Sequence, residues 1–288
     1  MRVLAGLLWL FAVAAAAPAA DVQPDAKLRY NRNTYHPVME VLKERRAKPV
    51  AADKLEALKT LPFESIWGTL RRLGYVNASF TGLKTTQPDA RMVGRALTIR
   101  YLPRRPDLVE AMQELAKGGD WPTGYHVRAG EEAKPGDVLV VDLGGGIPDG
   151  VFFGDISALA ARVRGAKGAI LYGASRDLAE LRAMKDFPVY AMGFDPMPAT
   201  QIGVDWNVPI RVGGATVLPG DIVVAEEEAV LFFPPELLDQ VVEQTREHAA
   251  QEEYERELVR QNKYRFRDVY PLNPELRKKF EEERKKRQ

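Results

Sequence analysis

Between residues 136 and 193 short apolar runs alternate with amphipathic ones, and this alternation limits the fold more than any other feature of the chain. "GDVLVVDLGGG" reads as a buried strand entering a glycine-rich loop. "GDISALAARVRGA" follows and places Ile156, Leu159, Ala160 and Val163 on one helical face. "GAILY" is a second short strand, "GASRD" turns into the helix "LAELRAM", and "FPVYAMG" is a third strand. Strands that alternate with helices predict a mixed α/β fold in one main domain.

The flanks extend this plan. From Ala52 the pattern is helical, "ADKLEALKTL" and then "FESIWGTLRRLGY". "ALTIRYL" alternates and is rich in β-branched residues, so it reads as a strand, and "DLVEAMQELAKGG" as a helix ending at a glycine. After Pro209 the text is strand and turn: "PIRVGG", "ATVLPGD" and "IVVAEEEAVLFFP". A long charged helix is expected from Pro235, then a broken stretch, "YRFRDVYPLNP", and a second charged run, "ELRKKFEEERKKRQ". Mixed-sign charge of this density reads as a solvated face, or alternatively as a packing arm between subunits. The expected boundaries are a main domain over residues 53–250 and a charged helical tail over 251–288.

The first twenty residues, "MRVLAGLLWLFAVAAAAPAA", have one early cation, an apolar middle and a small-residue end. That order is the order of a secretory signal peptide, with cleavage after Ala19 or Ala20. The apolar stretch is shorter than the ~20 residues of a spanning helix, which disfavours a membrane anchor. Export to the periplasm or the extracellular space is therefore expected, with a polar arm over residues 21–52 that includes a short helix around "PVMEVLKERRA". No second stretch is long enough to span a membrane. A formal net charge of +1 gives no reason to expect nucleic acid as a partner. With no cysteine in the chain, a metal must be held by oxygen ligands or by one of the three histidines.

Two turns carry the residues with chemistry. Asp155 follows Gly154 and opens a helix, where its carboxylate can cap the free N–H groups or stand beside an anion held by them. Asp177 and Glu180 have the spacing of a capping box, so Asp177 also reads as a cap or as a ligand. Arg176 stands at the mouth of a strand-to-helix turn, where ligands bind in α/β folds, and its planar fork suits a carboxylate or an enolate. If the two turns are neighbours, they combine two carboxylates, a guanidinium and free helix N–H groups, which suits a hard divalent ion with an anionic organic ligand. The loop "DLGGGIPDG" lacks dinucleotide-binding spacing, and no Walker A, G-x-S-x-G or H-E-x-x-H motif occurs. His36, His126 and His248 read as surface or structural residues, and Glu226, Glu227 and Glu228 as an exposed turn.

"PGDVLVVDLGGG", "FFGDISALAARVRGAKGAILYGASRDLAELRAMKDFPVYAMG" and "PIRVGGATVLPGDIVVAEEEAVLFFP" together resemble the RraA-like family, which includes 4-hydroxy-4-methyl-2-oxoglutarate aldolases and ribonuclease-regulator relatives. The resemblance covers most of residues 55–250. It implies an RraA-like α/β sandwich with a central sheet, assembled as a homotrimer or a hexamer with sites at subunit interfaces. By resemblance, substrate binding falls to Gly154, Asp155, Ile156, Ser157 and Arg176, catalysis to Arg176 and Asp155, and Mg²⁺ or Mn²⁺ to Asp177. The implied reaction is metal-assisted cleavage of a carbon–carbon bond in a small-molecule 2-oxo acid, such as a 4-hydroxy-2-oxo acid or oxaloacetate, through a pyruvate enolate. Asp155 would position a water for proton transfer.

Ser157 stands where the family turn has leucine, Gly68 where an aspartate is usual, and Ala229 where a glycine is. The helix-borne glutamate of some aldolases has no clean counterpart near Ala250, with Glu247, Glu252 and Glu253 as substitutes. Two readings follow: an exported metal-dependent lyase, or a non-catalytic regulator acting through protein contacts.

Overall fold

The computed structural model describes residues 50–117, 124–197 and 200–287. The expected signal peptide and nearly all of the expected arm, with its short helix, lie outside the described residues. Helices α1 (Ala52–Leu58) and α2 (Phe63–Arg72) lead into two short strands, β1 (Ser79–Thr81) and β2 (Lys84–Thr85), and the long β3 (Met92–Leu102). Helices α3 (Pro106–Lys117) and α4 (Tyr125–Glu132) connect β3 to β4 (Asp137–Asp142). The alternating region then folds as α5 (Asp155–Val163), β5 (Gly168–Ser175), α6 (Leu178–Ala183) and β6 (Val189–Phe194). Five strands follow: β7 (Ile202–Trp206), β8 (Ile210–Val212), β9 (Ala215–Val217), β10 (Ile222–Ala225) and β11 (Ala229–Phe233). The C-terminal helices are α7 (Leu238–Gln261), α8 (Phe266–Val269) and α9 (Pro274–Arg287).

Strands β3, β4, β5 and β6 pair in parallel and form the centre of a nine-stranded mixed sheet of order β1-β11-β10-β3-β4-β5-β6-β2. β3 is long enough to hold two partners on one side, β10 along residues 92–95 and β7 along residues 99–102, both antiparallel. Parallel strands need crossover connections, and the helices that supply them cover one face. There Leu139, Val141 and Leu171 pack with Met112, Ala129, Ala158, Ala161 and Leu181 of α3 to α6. The alternate residues Val138, Val140 and Ile170 point the other way, onto the hairpin β8–β9 through Ile210, Val212, Ala215 and Val217. The period of two thus sorts one run of valines and leucines onto two cores. A third cluster joins α1, α2 and α7 to Ile222, Val224, Leu231 and Phe233.

α7 continues as one helix through residue 250, where the main domain was expected to end. Its second half holds a small core of its own, Leu258 with Val269, Leu272 and Leu276, and Tyr254 lies against Phe280. Exposed ion pairs such as Arg260–Glu253 at 2.8 Å cover the rest, which agrees with the solvated face expected from the charge pattern.

The helical face Ile156, Leu159, Ala160 and Val163 forms as expected, but it does not face the core. Ala158 and Ala161 are buried, whereas Ile156 is 78% exposed, Leu159 43% and Val163 77%. The small alanine stripe lets α4 approach closely: a Cβ on Gly130 would lie 2.8 Å from the Cβ of Ala160. Gly130→Val should therefore cost about 2 kcal/mol of stability by overpacking, read as a lower urea midpoint with an unchanged m value.

Candidate active site

The two turns singled out in the sequence are neighbours. Residues 151–153 run beside the end of β5, with a parallel bridge from Val151 to Ala174. Phe152 N–H donates to Ala174 O at 3.0 Å, and Arg176 N–H donates to Phe153 O at 3.2 Å. The Ser175 hydroxyl donates to Phe153 O at 2.9 Å. Buried Phe152 and Phe153 anchor this segment, their rings 5.0 Å apart and Phe152 edge-on to Tyr101. Gly154-Asp155 and Arg176-Asp177 therefore leave the same edge of the sheet side by side, at the carboxyl ends of the parallel strands. Binding sites in open α/β sheets form at this edge.

Neither aspartate caps its helix as the spacing suggests. The N-cap of α5 is Gly154, which has no side chain, so Asp155 is the first helical residue rather than the cap. Asp177 does precede α6, but it makes no capping bond to that helix and no capping box with Glu180. A capping residue needs extended backbone, and Asp177 has left-handed dihedrals, φ 58 and ψ 47. That conformation is costly for a residue with a Cβ, though aspartate tolerates it better than most. Its effect is to turn the carboxylate back to the neighbouring helix. Asp177 Oδ2 accepts the backbone N–H of Asp155 at 3.2 Å and lies 3.5 Å from Arg176 Nε. Strain of this kind, held by surrounding structure, is a mark of functional sites.

Gly154 completes the arrangement. A Cβ built on it would overlap Asp177 Oδ2 and lie 2.9 Å from Arg176 Nε. The side chains of Arg176 and Asp177 remain 44% and 36% exposed, and Ile156 and Ser157 lie in the first turn of α5, Ile156 exposed and Ser157 partly buried. The donor set fits a hard divalent cation. Asp177 and Asp155 offer carboxylate oxygens, and magnesium is commonly held by one or two carboxylates together with water and substrate oxygens. Arg176 would then face the substrate's own negative charge.

His126, read from the sequence as a surface or structural residue, lies within the electrostatic influence of Arg176. It lies in the first turn of α4, where its backbone amide interacts with the buried Tyr101 hydroxyl at the end of β3. Burial, and then the Arg176 charge, hold its imidazole below the ordinary pKa of 6.5. The folded state thus binds fewer protons at this site than the unfolded chain. His126 should weaken stability as pH falls through 6.5, and His126→Gln should remove that part of the pH dependence in urea melts. Fifty residues separate His126 from Arg176 in the chain, and no motif links them. The helix that His126 opens was itself not read from the sequence, so nothing there pointed to it.

His248 instead contacts the buried Ser65 hydroxyl at 3.1 Å, and His36 lies outside the described residues. Among the described residues, one group of three acids could share a metal: Glu64, Glu226 and Glu228. It sits by the β10–β11 turn, at the opposite edge of the sheet from Arg176, and Glu226 is already paired with Arg91. Of the substitutes for the helix-borne glutamate, Glu252 receives the Ser65 hydroxyl at 3.2 Å, Glu247 pairs with Arg284, and Glu253 pairs with Arg260 and Arg256. The described part of the chain brings none of them into contact with Arg176 or Asp177.

The fold is a mixed α/β sandwich whose two helix-entry turns meet at the carboxyl ends of the parallel strands. The RraA-like family profile, described as Aldolase/RraA, matches residues 56–232, and the chain belongs to that family. A relative from Halalkalibacterium halodurans, provisionally named a 4-hydroxy-4-methyl-2-oxoglutarate aldolase, is 29% identical over 137 residues, covering 47% of this chain and 64% of that protein. The match thus spans just under two thirds of the relative's length. A solved structure from Streptomyces coelicolor, RraAS2, described as an unusual member of the RNase ES inhibitor RraA family, is 25% identical. It superposes with a TM-score of 0.61 over 73% of this chain and 98% of that one. A protein from Pseudomonas syringae pv. tomato shares the fold, with a TM-score of 0.64 at 22% identity over 78% of this chain and 96% of that one. The fold expected from the resemblance is the fold found. Among the described residues no helix is long and apolar enough to cross a membrane.

Proposed function

We propose that this chain is a divalent-metal-dependent lyase of the aldolase or decarboxylase type, acting on a small 2-oxo acid. The observation that carries this reading is the left-handed Asp177, whose carboxylate is turned to the Gly154 turn beside Arg176. Asp177 would hold a Mg²⁺ or Mn²⁺ ion, which when bound would supply positive charge to polarise the substrate's 2-oxo group. Arg176 pairs with the substrate carboxylate and with the negative charge that develops on the oxo oxygen. The first N–H groups of α5 add the positive end of a helix dipole, and Asp155 holds the water that returns a proton to the released fragment. The test is pyruvate release from 4-hydroxy-2-oxo acids and from oxaloacetate, with Mg²⁺, with Mn²⁺ and with chelator. Equal rates with and without chelator would refute metal-dependent cleavage.

The assembly we propose is a homotrimer or a pair of trimers, with the exposed face of α5 against a second copy. Its support is the apolar ridge Ile156, Leu159 and Val163 beside a turn whose charged side chains are themselves half exposed. An isolated surface valine can be changed with little effect, whereas a charge buried between subunits costs several kcal/mol. Val163→Asp should therefore split the assembly in sedimentation velocity. Equal mass for wild type and variant would refute this interface. The reading includes export, supported by residues 1–20, and mature protein should begin after Ala19 or Ala20 on N-terminal sequencing.

A non-catalytic regulatory role is the second reading. It is favoured by the tail beyond the matched segment, where Phe266 and Tyr270 are stacked at 5.9 Å and exposed. A stoichiometric protein partner, together with no metal binding by calorimetry, would select it.

A further inference from the structure

Where the two turns meet, one polar side chain is fully buried and takes no part in the proposed chemistry. Ser175 ends β5, directly before Arg176, and has no access to solvent. A hydroxyl so placed can neither attack a substrate nor ligate an ion at the open edge. Its proton is already committed to the carbonyl oxygen of Phe153, at 2.9 Å. The same oxygen accepts the Arg176 N–H at 3.2 Å. A carbonyl oxygen has two lone pairs, so two donors from consecutive residues use both.

That carbonyl is half of the peptide group joining Phe153 to Gly154. Rotating the group swings the Gly154 Cα and, one residue on, the Asp155 N–H. Both stand close against Asp177: a Cβ on Gly154 would overlap Asp177 Oδ2, and the Asp155 N–H donates to that oxygen at 3.2 Å. The backbone bond from Arg176 alone would hold the carbonyl at one point and leave the peptide group free to pivot. The hydroxyl bond supplies a second point and closes the pivot. The left-handed backbone of Asp177 persists only because its surroundings hold it, and this clamp stands two residues away.

We propose that Ser175 is a positioning residue of the site: its buried hydroxyl, sharing the Phe153 carbonyl with the Arg176 N–H, fixes the Gly154-Asp155 turn against the Asp177 carboxylate. The inference rests on the lyase reading for its effect on turnover, and on the geometry alone for its effect on the turn. Loss of the hydroxyl orphans no acceptor, because Phe153 O keeps the Arg176 N–H, so the cost in stability is small. The cost in function is larger, since a misplacement on the order of 1 Å costs about 100-fold in catalysis.

The experiment compares wild type, Ser175→Ala and Thr98→Val. Thr98 is the control: it is equally buried, and its hydroxyl donates to Val208 O at 2.6 Å. It lies in register, through Val140, with Ile170, five residues before Ser175 on β5 and so ~16 Å from the turn. Each variant removes one buried hydroxyl bond, and each should lower the melting temperature by about 2 to 4 °C. Three readouts separate them: Mg²⁺ affinity by calorimetry, hydrogen exchange of the Asp155 amide in the metal-free protein, and kcat and KM for pyruvate release from a 4-hydroxy-2-oxo acid. Ser175→Ala should lose about 10-fold in Mg²⁺ affinity and in kcat, with KM within about threefold. Its Asp155 amide should exchange at least ~10-fold faster. Thr98→Val should stay within about twofold of wild type in all three. Wild-type exchange and Mg²⁺ affinity in Ser175→Ala, or equal losses in Thr98→Val, overturn the proposal while the lyase reading stands. A wild-type protein that cleaves no 2-oxo acid overturns the lyase reading, and exchange and Mg²⁺ affinity then still decide the role of Ser175.

Discussion

Asp177→Asn is expected to remove metal-dependent activity while leaving the fold untouched. The substitution is close to isosteric. Asparagine adopts left-handed backbone as readily as aspartate does, so the dihedrals of φ 58 and ψ 47 remain accessible. Its amide oxygen can still accept the N–H of Asp155 that Asp177 Oδ2 accepts at 3.2 Å. What disappears is the charge. A neutral amide is a poor ligand for a hard divalent ion, and Arg176 loses the carboxylate 3.5 Å from its Nε. Magnesium affinity should fall at least ~100-fold by calorimetry, and pyruvate release by about 10³-fold, the scale of losing a main electrostatic element of a site. Urea stability should change by less than about 0.5 kcal/mol, because the exposed Arg176–Asp177 pair is worth little by itself. Asp177→Ala should lose activity equally and a further ~1 kcal/mol, since the α5 N–H then has no side-chain acceptor. If Asp177→Asn keeps metal-dependent turnover within threefold of wild type, Asp177 is a structural acceptor only.

Gly154→Ala should reduce kcat/KM by about 100-fold in a protein that still folds. The backbone at 154, φ −114 and ψ −164, is extended and open to any residue, so the methyl brings no conformational strain. Its cost falls on two side chains, chiefly the Asp177 carboxylate, whose Oδ2 occupies the place of the new carbon, and also Arg176, whose Nε would lie 2.9 Å from it. The carboxylate is the mobile end of a side chain and moves before the backbone does. It gives up the Asp155 N–H and its position beside Arg176, and a misplacement on the order of 1 Å costs about two orders of magnitude in catalysis. The melting temperature should drop by only a few degrees, while metal affinity and turnover fall together. Full activity in Gly154→Ala would mean that the position of Asp177 is not needed for function.

Much of this protein was legible without coordinates. β3 to β6 and three of the helices between them, α3, α5 and α6, follow from runs of apolar residues and their periods, because strands buried in a parallel sheet have no polar face to hide, whereas α4 was not read from the sequence. The long helix beyond Pro235 followed in the same way. β1 and β2 escaped because three and two residues carry no period. β7 escaped because its burial is mixed along its length. The face of α5 shows a different limit: a helical period says that Ile156, Leu159 and Val163 lie together, but not whether they meet a core, a solvent surface or another subunit.

The candidate site divides along the same line. The residue types and their order, Gly154-Asp155 and then Arg176-Asp177 at strand-to-helix turns, are set by the local sequence. Their juxtaposition is not, because it depends on residues 151–153 pairing with the end of β5, a contact across more than twenty positions that burial of Phe152 and Phe153 secures. Sequence spacing left Asp177 as either a cap of α6 or a ligand, and the capping reading assumes ordinary backbone. The tertiary structure holds it left-handed, and that one change of φ hands its carboxylate from its own helix to the neighbouring one. His126 comes under the influence of the Arg176 charge across fifty residues of chain, which no local pattern encodes. Local sequence determined the elements and the chemistry available to them; long-range packing, which no local period encodes, decided which groups meet.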